Sequence, residues 1–181
     1  MLVRPIKLLS PCILGASLLC SNSVLAENFS YNFIEARIGG SPSTFGGQMS
    51  GYITENSHFI AKMDSEFSGD WDLAVGAGFN GPLNEFSDLT GQLLLHNVKS
   101  SGSDKVGDEN MTELNVGLRA WILPQMEVGG SIGQLIDSDE SQTIGSAHFR
   151  FHSTDQLSVG AAMKFHGVYG SQVIMTARFL Y

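Results

Sequence analysis

The last nine residues read Val173-Ile174-Met175-Thr176-Ala177-Arg178-Phe179-Leu180-Tyr181. Their odd positions, Val173, Met175, Ala177, Phe179 and Tyr181, are apolar and end on an aromatic ring. The even positions hold Thr176 and Arg178 among larger apolar neighbours. A period of two is that of a β-strand, whose successive side chains point to opposite faces. Upstream, Leu157, Val159, Ala161, Met163 and Phe165 alternate with Ser158, Gly160, Ala162, Lys164 and His166. Leu114, Val116, Leu118, Ala120 and Ile122 alternate in the same way with Glu113, Asn115, Gly117, Arg119 and Trp121. Less regular alternation marks strands near 29–39, 46–54, 58–67, 70–79, 88–98, 126–136 and 143–152. The sequence thus predicts ten strands, or eight if weak neighbours merge.

Alternation alone would suit a soluble sandwich, so the position of the charges decides. Six of the eight basic residues beyond residue 26 fall on the polar parity of strands: Arg37, Lys62, Arg119, Arg150, Lys164 and Arg178. Six acids share it: Glu35, Asp64, Glu66, Asp72, Glu113 and Glu127. A sandwich turns such residues to water. These same faces also hold Gly76, Gly78, Gly117, Gly129, Gly133 and Gly160, which suits a narrow, crowded interior. A balanced polar interior behind an apolar exterior is a closed antiparallel transmembrane β-barrel, and closure leaves no unpaired backbone edge in lipid. Lipid-facing positions then include Val116, Leu118, Phe149, Phe151, Val159, Met163, Phe165, Val173 and Phe179. Phe29, Tyr31, Phe151, Phe179 and Tyr181 are expected in a periplasmic aromatic girdle. Connections near 55–57, 80–87, 123–125 and 153–156 are mostly tight and share a side with both termini. Those near 40–45, 68–69, 98–110, 137–142 and 167–171 lie opposite and include the longest and most acidic loop, as in outer-membrane barrels.

Composition agrees. The 181 residues are 43% hydrophobic but only 15% charged, against about a quarter charged in soluble domains. A mean hydropathy of +0.05 and no uncharged apolar run of some 18 residues beyond the N-terminus argue against spanning helices. The net charge of −8 argues against a nucleic-acid binder. At the N-terminus, Arg4 and Lys7 precede an apolar run over 8–20, then Val24 and Ala26. This is the pattern of a secretory signal peptide over 1–26, cleaved between Ala26 and Glu27. The expected mature chain, 27–181, is one barrel domain, and it loses both Cys12 and Cys20.

The terminal alternation ending on Tyr181 resembles the C-terminal signature of outer-membrane barrels. With the signal peptide and the strand pattern, the whole of 27–181 resembles small Gram-negative barrels of the OmpA/OmpX type. The resemblance implies export through the periplasm and residence in the outer membrane. It also implies a barrel-assembly machinery that reads Val173, Met175, Ala177, Phe179 and Tyr181. Outer-membrane lipid and lipopolysaccharide would be its surroundings, the barrel a monomer, and no cofactor is implied.

The twelve polar-face charges form a lumen network that reads as a salt-bridged plug or as a narrow ion path. Glu35, Arg37 and Arg178 are expected to lie close, because first and last strands pair on closure. The five histidines, His58, His96, His148, His152 and His166, lack the compact spacing of a metal site. An enzyme is not expected. The omptin proteases use Asp-x-Asp and Asp-x-His pairs, and only Asp70-x-Asp72 is present; His152 is followed directly by Ser153, without the arrangement of a lipid A deacylase. Loop 98–110, with Lys99, Asp104, Lys105, Asp108 and Glu109, and the Asp137–Glu140 segment lack EF-hand grammar and read as solvated tips. The leading reading is therefore a structural or surface-interaction barrel displaying acidic outer loops. The alternative is a narrow passive channel, porin-like, with an outer-membrane hydrolase as a minor one. A folded sample in detergent should migrate differently on gels before and after boiling; identical migration would count against a barrel.

Overall fold

A computed structural model describes residues 29–99, 109–138 and 140–181. The expected signal segment 1–26 with its Ala26/Glu27 junction, the centre of the β5–β6 loop with Asp104, Lys105 and Asp108, and Asp139 lie outside the described residues.

Ten strands form one closed antiparallel barrel, each paired with its chain neighbours, and β1 closes on β10. They are β1 (Phe33–Gly40), β2 (Thr44–Thr54), β3 (Ser57–Ser65), β4 (Trp71–Asn84) and β5 (Ser87–Lys99). After these come β6 (Glu109–Leu123), β7 (Met126–Ile136), β8 (Ser141–His152), β9 (Leu157–Gly167) and β10 (Gly170–Leu180). The closing register sets Glu35 opposite Arg178 and Arg37 opposite Thr176.

Alternation sorts the side chains as the lipid problem demands. In β1 every second residue from Phe33 is buried and the others are exposed. Among the described residues, nineteen buried ones are polar or charged and ten are hydrophobic, while Ile34, Met63, Leu93, Val116, Met163 and Val173 all stand more than half exposed. That inverts a soluble core, and in a bilayer the exposed apolar side chains are the ones in their preferred solvent. Two small apolar clusters lie within the wall: Ile60, Ala74 and Leu94 near mid-height, and Val98, Met111 and Leu135 towards the outer loops, with Ile144 and Val168 against them.

Two local expectations are corrected. Asn80–Ser87 is not a connection: the β4–β5 ladder continues to Asn84 opposite Ser87. The turn is Glu85-Phe86 alone, tightened where Asn84 Oδ1 accepts the Phe86 N–H at 2.8 Å. Phe29 and Tyr31 are not girdle residues. Residues 29–32 precede β1 and fold into the barrel mouth, leaving Phe29 and Tyr31 only 3% and 4% exposed. Phe29 stacks on Trp121 at 5.1 Å, and Tyr31 stacks on His58 at 4.6 Å. The His58 ring lies against its register partner Gly78 on β4, where an added Cβ would collide with it. Phe179 and Tyr181 do face outward.

Val116 sits mid-strand on the lipid face, so Val116→Arg should destabilise the barrel by about 2–4 kcal/mol. Urea unfolding from lipid vesicles measures it; a cost near zero would mean that this face is wet.

Candidate functional site in the charged lumen

Alternation leaves the even-numbered residues of β3 and β5 and the odd-numbered residues of β1 and β6 facing inward. The lumen charges gather in two tiers. The tier nearer the chain termini centres on Glu127, fully buried on β7. Arg119 on the neighbouring β6 grips it with two parallel bonds, Nε to Oε1 at 2.8 Å and Nη2 to Oε2 at 2.9 Å. His148 and His152 on β8 add Nε2 contacts at 3.0 and 3.1 Å. A carboxylate accepts only, so both rings carry their proton on Nε2 towards it. Four donors around one carboxylate offset much of its desolvation. Arg119 also lies over the Phe29 and Tyr31 rings, at 4.5 and 4.9 Å. Beside this, Glu35 Oε2 accepts from Arg150 Nη2 and Arg178 Nε, each at 2.8 Å. Arg178 in turn sits 3.6 Å above the Phe33 ring.

The outer tier is looser. Arg37 Nη2 lies 3.4 Å from Asp64 Oδ2, and Lys62 Nζ lies 3.6 Å from Glu113 Oε2. His96 bridges two carboxylates, Nδ1 to Asp72 Oδ1 at 2.7 Å and Nε2 to Glu113 Oε2 at 3.1 Å. Asn115 donates to Glu113 Oε1 at 2.6 Å. Lys164 on β9 faces the same space.

Eleven of the twelve expected network residues thus meet in the lumen; Glu66 does not. β3 ends at Ser65, and Phe67 takes a positive φ of 60°, so the alternation breaks and Glu66 is exposed in the turn. Asp88 was missed and replaces it: buried on β5, it accepts the Tyr31 hydroxyl at 3.1 Å. Its parity is that of His96, but the Leu93-Leu94-Leu95 run between them blurs the alternation that would have flagged it. Asp70 and Asp72 do not converge. Asp72 points inward to His96, while Asp70 folds the β3–β4 turn, accepting the Glu66 N–H at 3.0 Å and the Tyr169 hydroxyl at 2.8 Å. Ser153 Oγ bonds the Leu157 carbonyl at 2.9 Å rather than a histidine. Among the described residues no group of three His, Cys, Asp or Glu has metal-holding geometry.

Two internal spaces flank the ionic layer. One of about 230 Å³ runs from Tyr31 and Arg119 past Glu35 to Lys164 and Val168. The other, about 330 Å³, opens at the terminal end beside Phe29, Trp121 and Gln125, and Arg119 and Arg178 line both.

The architecture is a closed ten-stranded antiparallel β-barrel, the fold of known outer-membrane porins. Among solved structures, the KdgM porin matches with a TM-score of 0.58 at 7% identity, covering 82% of this chain and 99% of that one. KdgM in complex with disordered oligogalacturonate gives 0.58 at 8% over the same shares. The NanC porin gives 0.52 at 8%, covering 82% and 98%. At such identities the likeness is one of fold. No family model matches the sequence, and no curated protein matches it.

Two outcomes follow from the geometry. Glu127→Ala strands Arg119 in the lumen without its carboxylate, and should cost about 3–5 kcal/mol in urea unfolding; a loss below 1 kcal/mol would mean that the tier is hydrated. At the outer rim, burial pushes the Asp70 carboxyl up, but the Glu66 and Ser68 N–H groups and the Tyr169 hydroxyl together outweigh it and hold the carboxyl below its ordinary value. A depressed folded pKa stabilises the turn above the ordinary carboxylate range, and that contribution disappears as pH falls through the folded value. Tyr169→Phe should therefore move the Asp70 titration upward in a carboxyl NMR experiment, and an unmoved titration would show that the hydroxyl contributes nothing.

Proposed function

We propose that this chain is an outer-membrane barrel whose lumen forms a narrow, porin-like path for ions and small solutes. The observation that carries the reading is the partition between the two internal spaces. Arg119 and Arg178 line both, so side chains, not backbone, divide the lumen from the mouth. Side chains reorient on fast timescales whereas a closed ladder of strands does not. The porin-type fold and the apolar outer face support the membrane setting. In this reading residues 1–26 direct export and are removed after Ala26, and the strand ending at Tyr181 is read by the assembly machinery. The monomer then sits among lipid and lipopolysaccharide in a Gram-negative outer membrane, without enzymatic activity. Spaces of this size suit ions and small solutes rather than an oligosaccharide.

A structural, loop-displaying role is the second reading, favoured by the aromatic and apolar side chains buried towards both ends. Phe29 and Tyr31 are buried at the terminal end, and Val98, Met111 and Leu135 form a buried apolar cluster towards the outer end. Apolar constrictions in a pore gate by excluding water.

Planar-bilayer recording separates the two. The wild-type chain should give small, reproducible openings, and the Phe29→Ala/Tyr31→Ala double variant should raise the conductance several-fold. Silence from both folded proteins would favour the structural role.

A further inference from the structure

The outer tier holds more positive charge than its carboxylates answer. Arg37, Lys62 and Lys164 face Asp64, Asp72 and Glu113, three against three. His96 breaks the tie. Both its ring nitrogens lie within hydrogen-bond distance of carboxylate oxygens, at 2.7 and 3.1 Å, and ionised carboxylates have no proton to give. One proton beyond those of a neutral imidazole must therefore lie within the Asp72–His96–Glu113 chain. The tier then bears one net positive charge.

That excess falls at Lys164. Arg37 and Lys62 each have a carboxylate within 4 Å, whereas among the described residues Lys164 has no ion pair or hydrogen bond. Arg37, Lys62 and Glu113 line the same cavity that Lys164 faces. In the same tier Arg37 Nε is a buried donor without a partner, and in the tier nearer the termini so are Arg150 Nε and Nη1. The Glu35–Arg178 and Glu127–Arg119 pairs line the same cavity on its terminal side. Poorly screened charge is expensive to leave unanswered. Donors outnumber free acceptors, so the missing partner is an anion. The cavity, about 230 Å³ along both tiers, leaves room for one small anion and a few waters, each of which occupies about 30 Å³ in the liquid.

We propose that the outer half of the lumen binds a small monovalent anion, a halide or a single carboxylate group, on the Lys164 ammonium between Arg37 and Lys62. The site deepens the porin-like reading and rests on it only for the anion's route in. In that setting it makes the path anion-selective.

Crystals of the folded barrel soaked in sodium bromide, with anomalous diffraction, test the site without requiring conduction. A bromide should lie within hydrogen-bond reach of Lys164 Nζ, persist in Lys164→Arg and be lost in Lys164→Gln. Formate added in competition should displace it if the site also takes carboxylates; retention restricts the ligand to halides and overturns the carboxylate half of the proposal. A wild-type lumen without bromide, or a bromide indifferent to Lys164→Gln, overturns the site. The boiled and unboiled gel mobilities of each variant confirm folding. Reversal potentials across a potassium chloride gradient supply the second arm: wild type should favour chloride, and Lys164→Gln should lose that preference. Bromide at Lys164 with a silent bilayer upholds the site and sinks the porin-like reading. Conduction without bromide sinks the site alone.

Discussion

No backbone N–H or C=O can be left unpaired in hydrocarbon, and in this barrel that requirement is met by the pairing of β1 with β10. Eight register pairs, from Phe33 opposite Leu180 to Gly40 opposite Val173, convert an open sheet with two exposed edges into a ring with none. Each unsatisfied group would cost several kcal/mol in lipid, so the seam outweighs any single side-chain contact. It also dictates the interior. Setting Glu35 opposite Arg178 creates the ion pair that joins the first strand to the last, with Arg150 from β8 reaching the same oxygen.

Closure then makes the lumen an unusual solvent. Charges that would be cheap on a soluble surface are enclosed, and near the termini they persist because the carboxylates are answered closely. Glu127 with four donors and Glu35 with two arginines show how. The tier near the termini is tight, with contacts of 2.8 to 3.1 Å, and the aromatic rings of Phe29, Tyr31 and Phe33 seal it. The outer tier, with pairs at 3.4 and 3.6 Å, is less saturated. A passage and a plug use the same residues; what differs is how completely each charge is partnered.

Much of this was legible in the chain because one physical rule, alternate faces in alternate solvents, governs most positions. Wherever apolar and polar residues strictly alternate, as in 157–166 and 173–181, strand and facing followed directly. The rule fails where its contrast fails. Leu93-Leu94-Leu95 reads as continuous apolar sequence, so Asp88 and its bond to Tyr31 went unseen. Glu66 kept the right parity but lies beyond the point where Phe67 turns the backbone. Phe29 and Tyr31 look like girdle residues because an aromatic ring suits both an interface and a packed interior. Only the fold reveals that the chain before β1 bends inward. Nor could spacing reveal that His96 serves two carboxylates from different strands, since such three-way contacts depend on the curvature of the ring.

The inward bend has a mechanical consequence. In a ring of ten strands, β6 stands diametrically opposite β1. The segment leading into β1 reaches across to β6, with Phe29 stacked on Trp121 and under Arg119, while Tyr31 bonds Asp88 on β5. These contacts act as a strut across the diameter of the tube. A hollow cylinder yields to lateral squeezing by flattening into an oval, and a strut across its mouth resists that deformation at the end where it is fixed. The terminal rim is therefore the stiff end of the cylinder, and the rim carrying the outer loops is the compliant one.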